Sequence, residues 1–144
     1  MPFVRPALRA LDRLAATLGR VPHKAPHLAS GSRGEEEAYF YLRKLGYTIV
    51  ARNFRTPHHK GEIDLIGWDG EVLCFIEVKT RASRHIAPAE AAVDKEKRDN
   101  LHRVARDYLR RIGSQPSFRF DVLSIYCENK GTPLDVTLFR DAFA

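Results

Sequence analysis

Apolar positions along the chain recur with two different periods, and the switches between them mark the elements. Val4, Leu8, Leu11, Ala15 and Leu18 fall at helical spacing and predict a basic amphipathic helix over residues 4–18. Residues 19–34 (GRVPHKAPHLASGSRG) hold two prolines, three glycines and two serines and read as a linker. Ala38, Tyr41, Leu42 and Leu45 then predict a helix over about residues 34–45, ended by Gly46 in the manner of a C′ glycine. "YTIVARNF" (47–54) reads as a strand and "TPHHKG" as a loop. "EIDLIG" and "VLCFIEVKT" read as two strands joined around Asp69-Gly70, a strong hairpin signal. Residues 81–93 look irregular. A long helix follows over about 94–112, with Leu101, Ala105, Tyr108 and Ile112 on one face, and then come the strands "SFRFDVLSIYC" and "LDVTLF" around the turn "ENKGTP". The order α-β-β-β-α-β-β predicts an α/β fold with a central mixed sheet of about five strands flanked by helices. The expected division is an arm and linker at 1–33 and a folded domain at 34–144.

Charge sharpens that division. Residues 1–33 carry six basic groups against Asp12 alone, a net of +5, whereas residues 34–144 carry 18 basic and 17 acidic groups, a net of +1. The overall +6 is therefore mainly a property of the arm, which weakens the inference from a basic total to a nucleic-acid-binding core. The arm is suited to nucleic acid, a membrane surface or a protein partner. No run approaches the roughly 18 apolar residues needed to span a bilayer, and no secretory h-region is present. Cys74 and Cys127 lack CxxC spacing and read as reduced thiols of a cytoplasmic protein.

The candidate chemistry lies in "GEIDLIGWDGEVLCFIEVKTR" (61–81), where Glu62, Asp64, Glu77 and Lys79 stand inside strand-forming runs. Burying such charges is costly unless they are paired or bound to a metal. If Asp69-Gly70 forms the two central residues of the turn, Trp68 faces Glu71, Asp64 lies opposite Phe75, and Glu62 lies opposite Glu77. Alternate residues share a face, so all four charged side chains emerge on one side, with Asp64 and Glu77 as diagonal neighbours. Like charges so placed hold one carboxyl protonated near neutral pH unless a cation joins them. An all-oxygen site suits Mg²⁺ or Mn²⁺. Lys79 would then orient or deprotonate a water, or hold charge building on a phosphate. Scattered charges on a solvated strand face would give the same spacing. The apolar residues between them, and their shared face, favour a built cluster.

Asp64 followed by Glu77-Val78-Lys79 on the next strand resembles the PD-(D/E)xK nuclease signature, shared by restriction enzymes and Holliday-junction resolvases. More narrowly, "GEEEAYFYLRKLGY", "RNFRT", "GEIDLI", "FIEVKTR", "AAVDKEKRDNL" and "RFDVLSI", in that order from Gly34 to Phe143, are similar to the YraN-like bacterial family. The resemblance implies a restriction-endonuclease-like core and a Mg²⁺- or Mn²⁺-dependent DNA endonuclease. Asp64 and Glu77 match its metal-binding positions, Lys79 its catalytic lysine, and Glu35 a helix glutamate that often joins the site. Ile63 stands where the signature has proline. Glu62, part of the family's "GEID", is an extra ligand or a structural acid.

Lys97 also matches a family position, and counting back four from Leu101 puts it on the sheet-facing stripe. It points toward the site or packs its stem on the core with a solvated tip. Arg81 and Arg84, just past Lys79, and Arg98, Arg103 and Arg106 on the long helix are candidates for phosphate contact or simply a solvated surface. Asp121, between Phe120 and Val122, reads as a hydrogen-bonded structural acid. His58 and His59 read as loop residues and His102 as an exposed helix position. The likeness to junction resolvases suggests branched DNA and a symmetric dimer with two sites. Two other functions remain open here: a catalytically silent nucleic-acid-binding module, and an adaptor whose arm docks on a protein partner in DNA repair, recombination or uptake.

Overall fold

The computed structural model describes residues 29–81, 93–126 and 135–144. The arm helix at 4–18, most of the linker, residues 82–92 with Arg84, the "ENKGTP" turn and Cys127 lie outside them. The elements are α1 (Ala29–Lys44), β1 (Thr48–Phe54), β2 (Ile63–Asp69), β3 (Val72–Arg81), α2 (Lys95–Ile112), β4 (Phe118–Tyr126) and β5 (Asp135–Phe143). Five strands form one sheet in the order β1-β2-β3-β4-β5. All neighbours are antiparallel except β3 and β4, which run parallel across the α2 connection. The mixed α/β sheet expected from the pattern is therefore present.

α1 begins at Ala29, ahead of the apolar stripe, in a Gly- and Ser-containing stretch whose composition gives no helical signal. Among its described side chains the buried apolar ones are Ala38, Tyr39 and Leu42, while Leu45, expected on the stripe, is exposed. Gly46 closes it as anticipated: Tyr47 N–H donates to Leu42 O at 3.0 Å and Gly46 N–H to Arg43 O at 3.0 Å, the paired bonds of a Schellman motif. α2 is capped by Asp94, whose side chain accepts from Lys97 N–H at 2.8 Å. Leu101, Val104 and Ala105 are buried on it, Tyr108 is partly so, and Ile112 is exposed at the last turn, beyond the sheet it was expected to cover. His102 is half-buried rather than fully exposed; its ring meets Phe120 edge-on at 4.4 Å between centroids.

The two helices give the sheet two cores. On the α2 face pack Ile66, Leu73, Phe75, Leu101, Val104, Phe120 and Val122; on the α1 face pack Leu42, Ile49, Leu65, Cys74, Ile76, Leu123 and Ile125. Strands β3 and β4 are thus apolar on both sides, as a covered sheet requires. Burial, and then the nearby Asp121 charge, push the Cys74 thiol up to about 12, so it stays protonated.

The β2–β3 hairpin differs from the expected register. Asp69 pairs with Val72, Trp68 with Leu73 and Leu65 with Ile76, so the turn is Gly70-Glu71 rather than Asp69-Gly70. Gly70 has φ 63 while Glu71 does not share the left-handed region, the pattern of a type II′ turn with glycine first. The register is displaced by two residues. An even displacement leaves every side chain on its face and brings Asp64 level with Glu77 instead of Phe75.

At the hairpin end of the sheet a polar clasp joins β2, β4 and β5 to Tyr47, which leads into β1. Asp121, fully buried, accepts from Arg119 Nε at 3.0 Å and from Asp141 N–H at 3.0 Å. Arg119 donates to Asp69 Oδ2 at 2.7 Å and to Tyr47 Oη at 2.8 Å. Asp121 is therefore the structural acid expected from its apolar neighbours. Among the described residues no helix is long and apolar enough to cross a membrane. Asp121→Ala removes the acceptor of Arg119 Nε, Asp141 N–H and Tyr47 Oη while Arg119 keeps Asp69, and is expected to cost about 1–3 kcal/mol in urea unfolding; Asp121→Asn, which keeps acceptor capacity, should cost clearly less.

Candidate metal centre

The site forms where β2 and β3 part. Their ladder ends at Leu65–Ile76, yet β2 continues against β1 to Ile63 and β3 against β4 to Arg81. In place of the next ladder bond, Asp64 Oδ2 accepts from Val78 N–H at 2.8 Å. This holds a buried carboxylate in the fork between the strands. Glu62 stands at the entrance to β2, tied to Arg55 Nε at 2.7 Å. α1 supplies Glu35. Its approach depends on Gly34, where a Cβ would overlap the Thr80 hydroxyl on β3, so a larger residue would push the helix away. Carboxylate oxygens of Glu35, Glu62 and Asp64 all lie within 4.8 Å of one another, and this cluster could hold a metal ion.

Glu77 lies outside that trio. Its Oε1 is 3.0 Å from Lys97 Nζ and 3.5 Å from Lys79 Nζ. Its Oε2 is buried and, among the described residues, has no hydrogen-bond partner. Glu77 and Asp64 are both buried, at 5% and 8% exposure, whereas the Lys79 and Lys97 side chains keep 28% and 42%. Two acids therefore line the floor and two lysines the mouth.

Burial first, and the Glu77 charge second, push the Asp64 carboxyl up to about 8, with Glu35 and Glu62 adding to the rise and the Val78 N–H opposing it. Burial pulls the Lys97 ammonium down, but the Glu77 charge and hydrogen bond outweigh it, so its pKa is raised and it remains a cation.

The chain carries this site inside a recognisable family stretch. The model of the group described as "Uncharacterised protein family UPF0102" matches residues 34–125. The chain belongs to the UPF0102 family. A UPF0102 protein of Koribacter versatilis is 52% identical over 141 residues, covering 98% of this chain and 94% of its own length. One from Solibacter usitatus is 49% identical over 81% of this chain and 84% of its own, and one from Caldicellulosiruptor saccharolyticus 39% identical over 78% and 95%. The family segment contains Glu35, Glu62, Asp64, Glu77, Lys79 and Lys97, and the YraN-like resemblance agrees with it.

Of the residues singled out from sequence, the UPF0102 fold brings together Glu35, Glu62, Asp64, Glu77, Lys79 and Lys97. Arg81 follows on β3 and is buried, Arg98 is half-buried in the first turn of α2, and Arg103 and Arg106 are exposed along α2. Sequence reasoning missed Arg55, whose pairing with Glu62 depends on how the 55–62 loop folds back, and Ser124, whose buried hydroxyl has no hydrogen-bond partner among the described residues.

The Asp64 shift has a consequence for stability. The folded chain holds a proton there that the unfolded chain releases near pH 4. Between about pH 4 and 8 the folded state binds more protons, so metal-free stability should fall as pH rises through that window. In chelator, thermal unfolding of the wild type should show this decline relative to Asp64→Asn, whose profile should be flatter.

Proposed function

We propose that the protein is a divalent-metal-dependent endonuclease that hydrolyses phosphodiester bonds in DNA. The observation that carries this reading is the unpartnered, buried Oε2 of Glu77 beside the Glu35–Glu62–Asp64 cluster, with Lys79 and Lys97 at its mouth. A buried carboxylate oxygen left without a donor is costly unless a cation takes it. The donors are all carboxylate oxygens, which fits Mg²⁺ or Mn²⁺ better than a thiophilic or imidazole-seeking metal. Asp64 and Glu77 would hold the ion, with Glu35 and Glu62 completing or positioning the set. When bound, it supplies Lewis-acid polarisation and neutralises phosphate charge.

The chain's own groups account for the remaining steps. Lys79, oriented by Glu77, holds the negative charge that grows on a non-bridging phosphate oxygen and stands where an attacking water would be aligned. Lys97, presented by the first turn of α2 and held on the same Glu77 oxygen, adds a second positive charge for the phosphate. Water adds in line to phosphorus, the bond to the leaving sugar oxygen breaks, and that oxygen leaves with a proton. The products are a phosphomonoester and an alcohol. The near-neutral core limits how much duplex the domain attracts unaided, so the basic arm serves as the long-range electrostatic element or as a docking segment for a protein partner. Branched DNA, engaged by a symmetric dimer, is the substrate proposed.

The test uses labelled single strands, duplex, flaps and four-way junctions with Mg²⁺, Mn²⁺ or chelator. Metal-dependent cutting is expected, and Asp64→Asn, Glu77→Gln and Lys79→Ala should each reduce it by about 10²–10³-fold or more with unchanged circular dichroism. Undiminished cutting by Asp64→Asn would sink the assigned site. Binding without cutting by the wild type would favour the silent binding module.

A further inference from the structure

The chemistry above uses Glu77 and Lys79, but the same face of β3 continues one step further. Alternate strand residues share a face, so Glu77, Lys79 and Arg81 stand in a row at steps of about 6.6 Å. Arg81 is 8% exposed, and among the described residues no hydrogen bond or ion pair engages its guanidinium. Glu77, the acid of the row, is held by Lys79 and Lys97. The stem of Arg81 is buried, and its guanidinium, not itself sealed from solvent, is left without a counter-charge among the described residues.

A second group on the neighbouring strand is also unmatched. The parallel register sets Lys79 beside Ser124 and Arg81 beside Tyr126. Phe120 and Val122, which alternate with Ser124, pack in the core beneath α2, so Ser124 faces the same side as the β3 row. Ser124 is fully buried and, among the described residues, its Oγ has no hydrogen-bond partner. Guanidinium offers donors and no acceptor, and a hydroxyl can donate as well. The uncompensated cation of Arg81 and the orphaned hydroxyl of Ser124 flank Lys79 and together suit an oxyanion.

We propose that Arg81 and Ser124 form a phosphate subsite, holding the phosphodiester next to the one that lies at Asp64, Glu77 and Lys79. The identity of this ligand rests on the nuclease reading. The step from Lys79 to Arg81 is comparable with the spacing of neighbouring phosphates along an extended strand, so one nucleic-acid strand lays successive phosphates along β3. The planar fork of Arg81 suits two phosphate oxygens at once, which an ammonium does not reproduce. Ser124 adds a neutral donor that orients the same group.

The experiment is fluorescence anisotropy of a short labelled single strand with the full chain, across a salt series, with Ca²⁺ in place of Mg²⁺. Arg81→Gln should weaken binding at least tenfold, the size of a lost hydrogen bond to a charged group. It should also reduce the log–log salt slope by about 0.7, one phosphate contact on a single strand. Arg81→Lys should keep the slope and lose part of the affinity, and Ser124→Ala should weaken binding without altering the slope. Because neither side chain has a partner among the described residues, free Ser124→Ala should melt no lower than the wild type, and free Arg81→Gln should lose only the packing of its buried stem. The subsite is overturned if Arg81→Gln binds with wild-type affinity and slope, if the wild type binds no strand, or if Arg81→Lys is indistinguishable from the wild type. The last comparison decides the matter should Arg81→Gln not fold. An Arg81-dependent slope without any cleavage in Mg²⁺ would keep the subsite and remove the nuclease reading, whereas cleavage with Arg81-independent binding would do the reverse.

Discussion

Mutual repulsion among carboxylates governs this structure. Asp64 and Glu77 are buried side by side in the fork between β2 and β3, and Glu35 and Glu62 face the same space. Charges of one sign in a low-dielectric cleft cannot all ionise without help. The protein meets this in three ways. It places Lys79 and Lys97 on Glu77, gives Asp64 the Val78 N–H, and pairs Glu62 with Arg55. These measures leave Asp64 protonated well above the usual carboxylate range and Glu77 Oε2 unmatched, which is the state a cation would complete.

Holding such a cluster requires a rigid frame. β3 and β4 are covered on both faces, so the strand that carries Glu77, Lys79 and Arg81 lies at the centre of the sheet, between β2 and β4. α2 reaches the site with its capped N-terminus, where Asp94 fixes the turn that presents Lys97. At the hairpin end, Asp121 and Asp69 are met by two guanidiniums, Arg119 on both and Arg140 at 3.9 Å from Asp69, so the charges of that clasp balance. One polar network is satisfied and structural; the other is short of a positive charge.

Much of this was legible in the chain itself. The element order, the C′ role of Gly46 and the single face shared by Asp64, Glu77 and Lys79 follow from periodicity, which is a local property. Lys97 was placed by counting helical turns from Leu101. The start of α1 was not, because Ala29 to Arg33 carry no apolar period. The hairpin register was misplaced by two residues because Asp-Gly is compatible with glycine in either central position, and the fold selected the turn in which Gly70 comes first. The face survived that error because strand alternation depends on parity alone. Arg55, Ser124 and the burial of Arg81 could not be read beforehand, since each depends on contacts between segments distant in sequence or on how a loop returns.

The most direct test of the central claim is a titration of the chelator-stripped protein with Mn²⁺, following the free ion by electron paramagnetic resonance. Saturable binding by the wild type, lost in Asp64→Asn and in Glu77→Gln while both variants stay folded, is the expected result. Binding that is absent in the wild type, or equal in all three proteins, would contradict the assignment of this cluster as a metal centre.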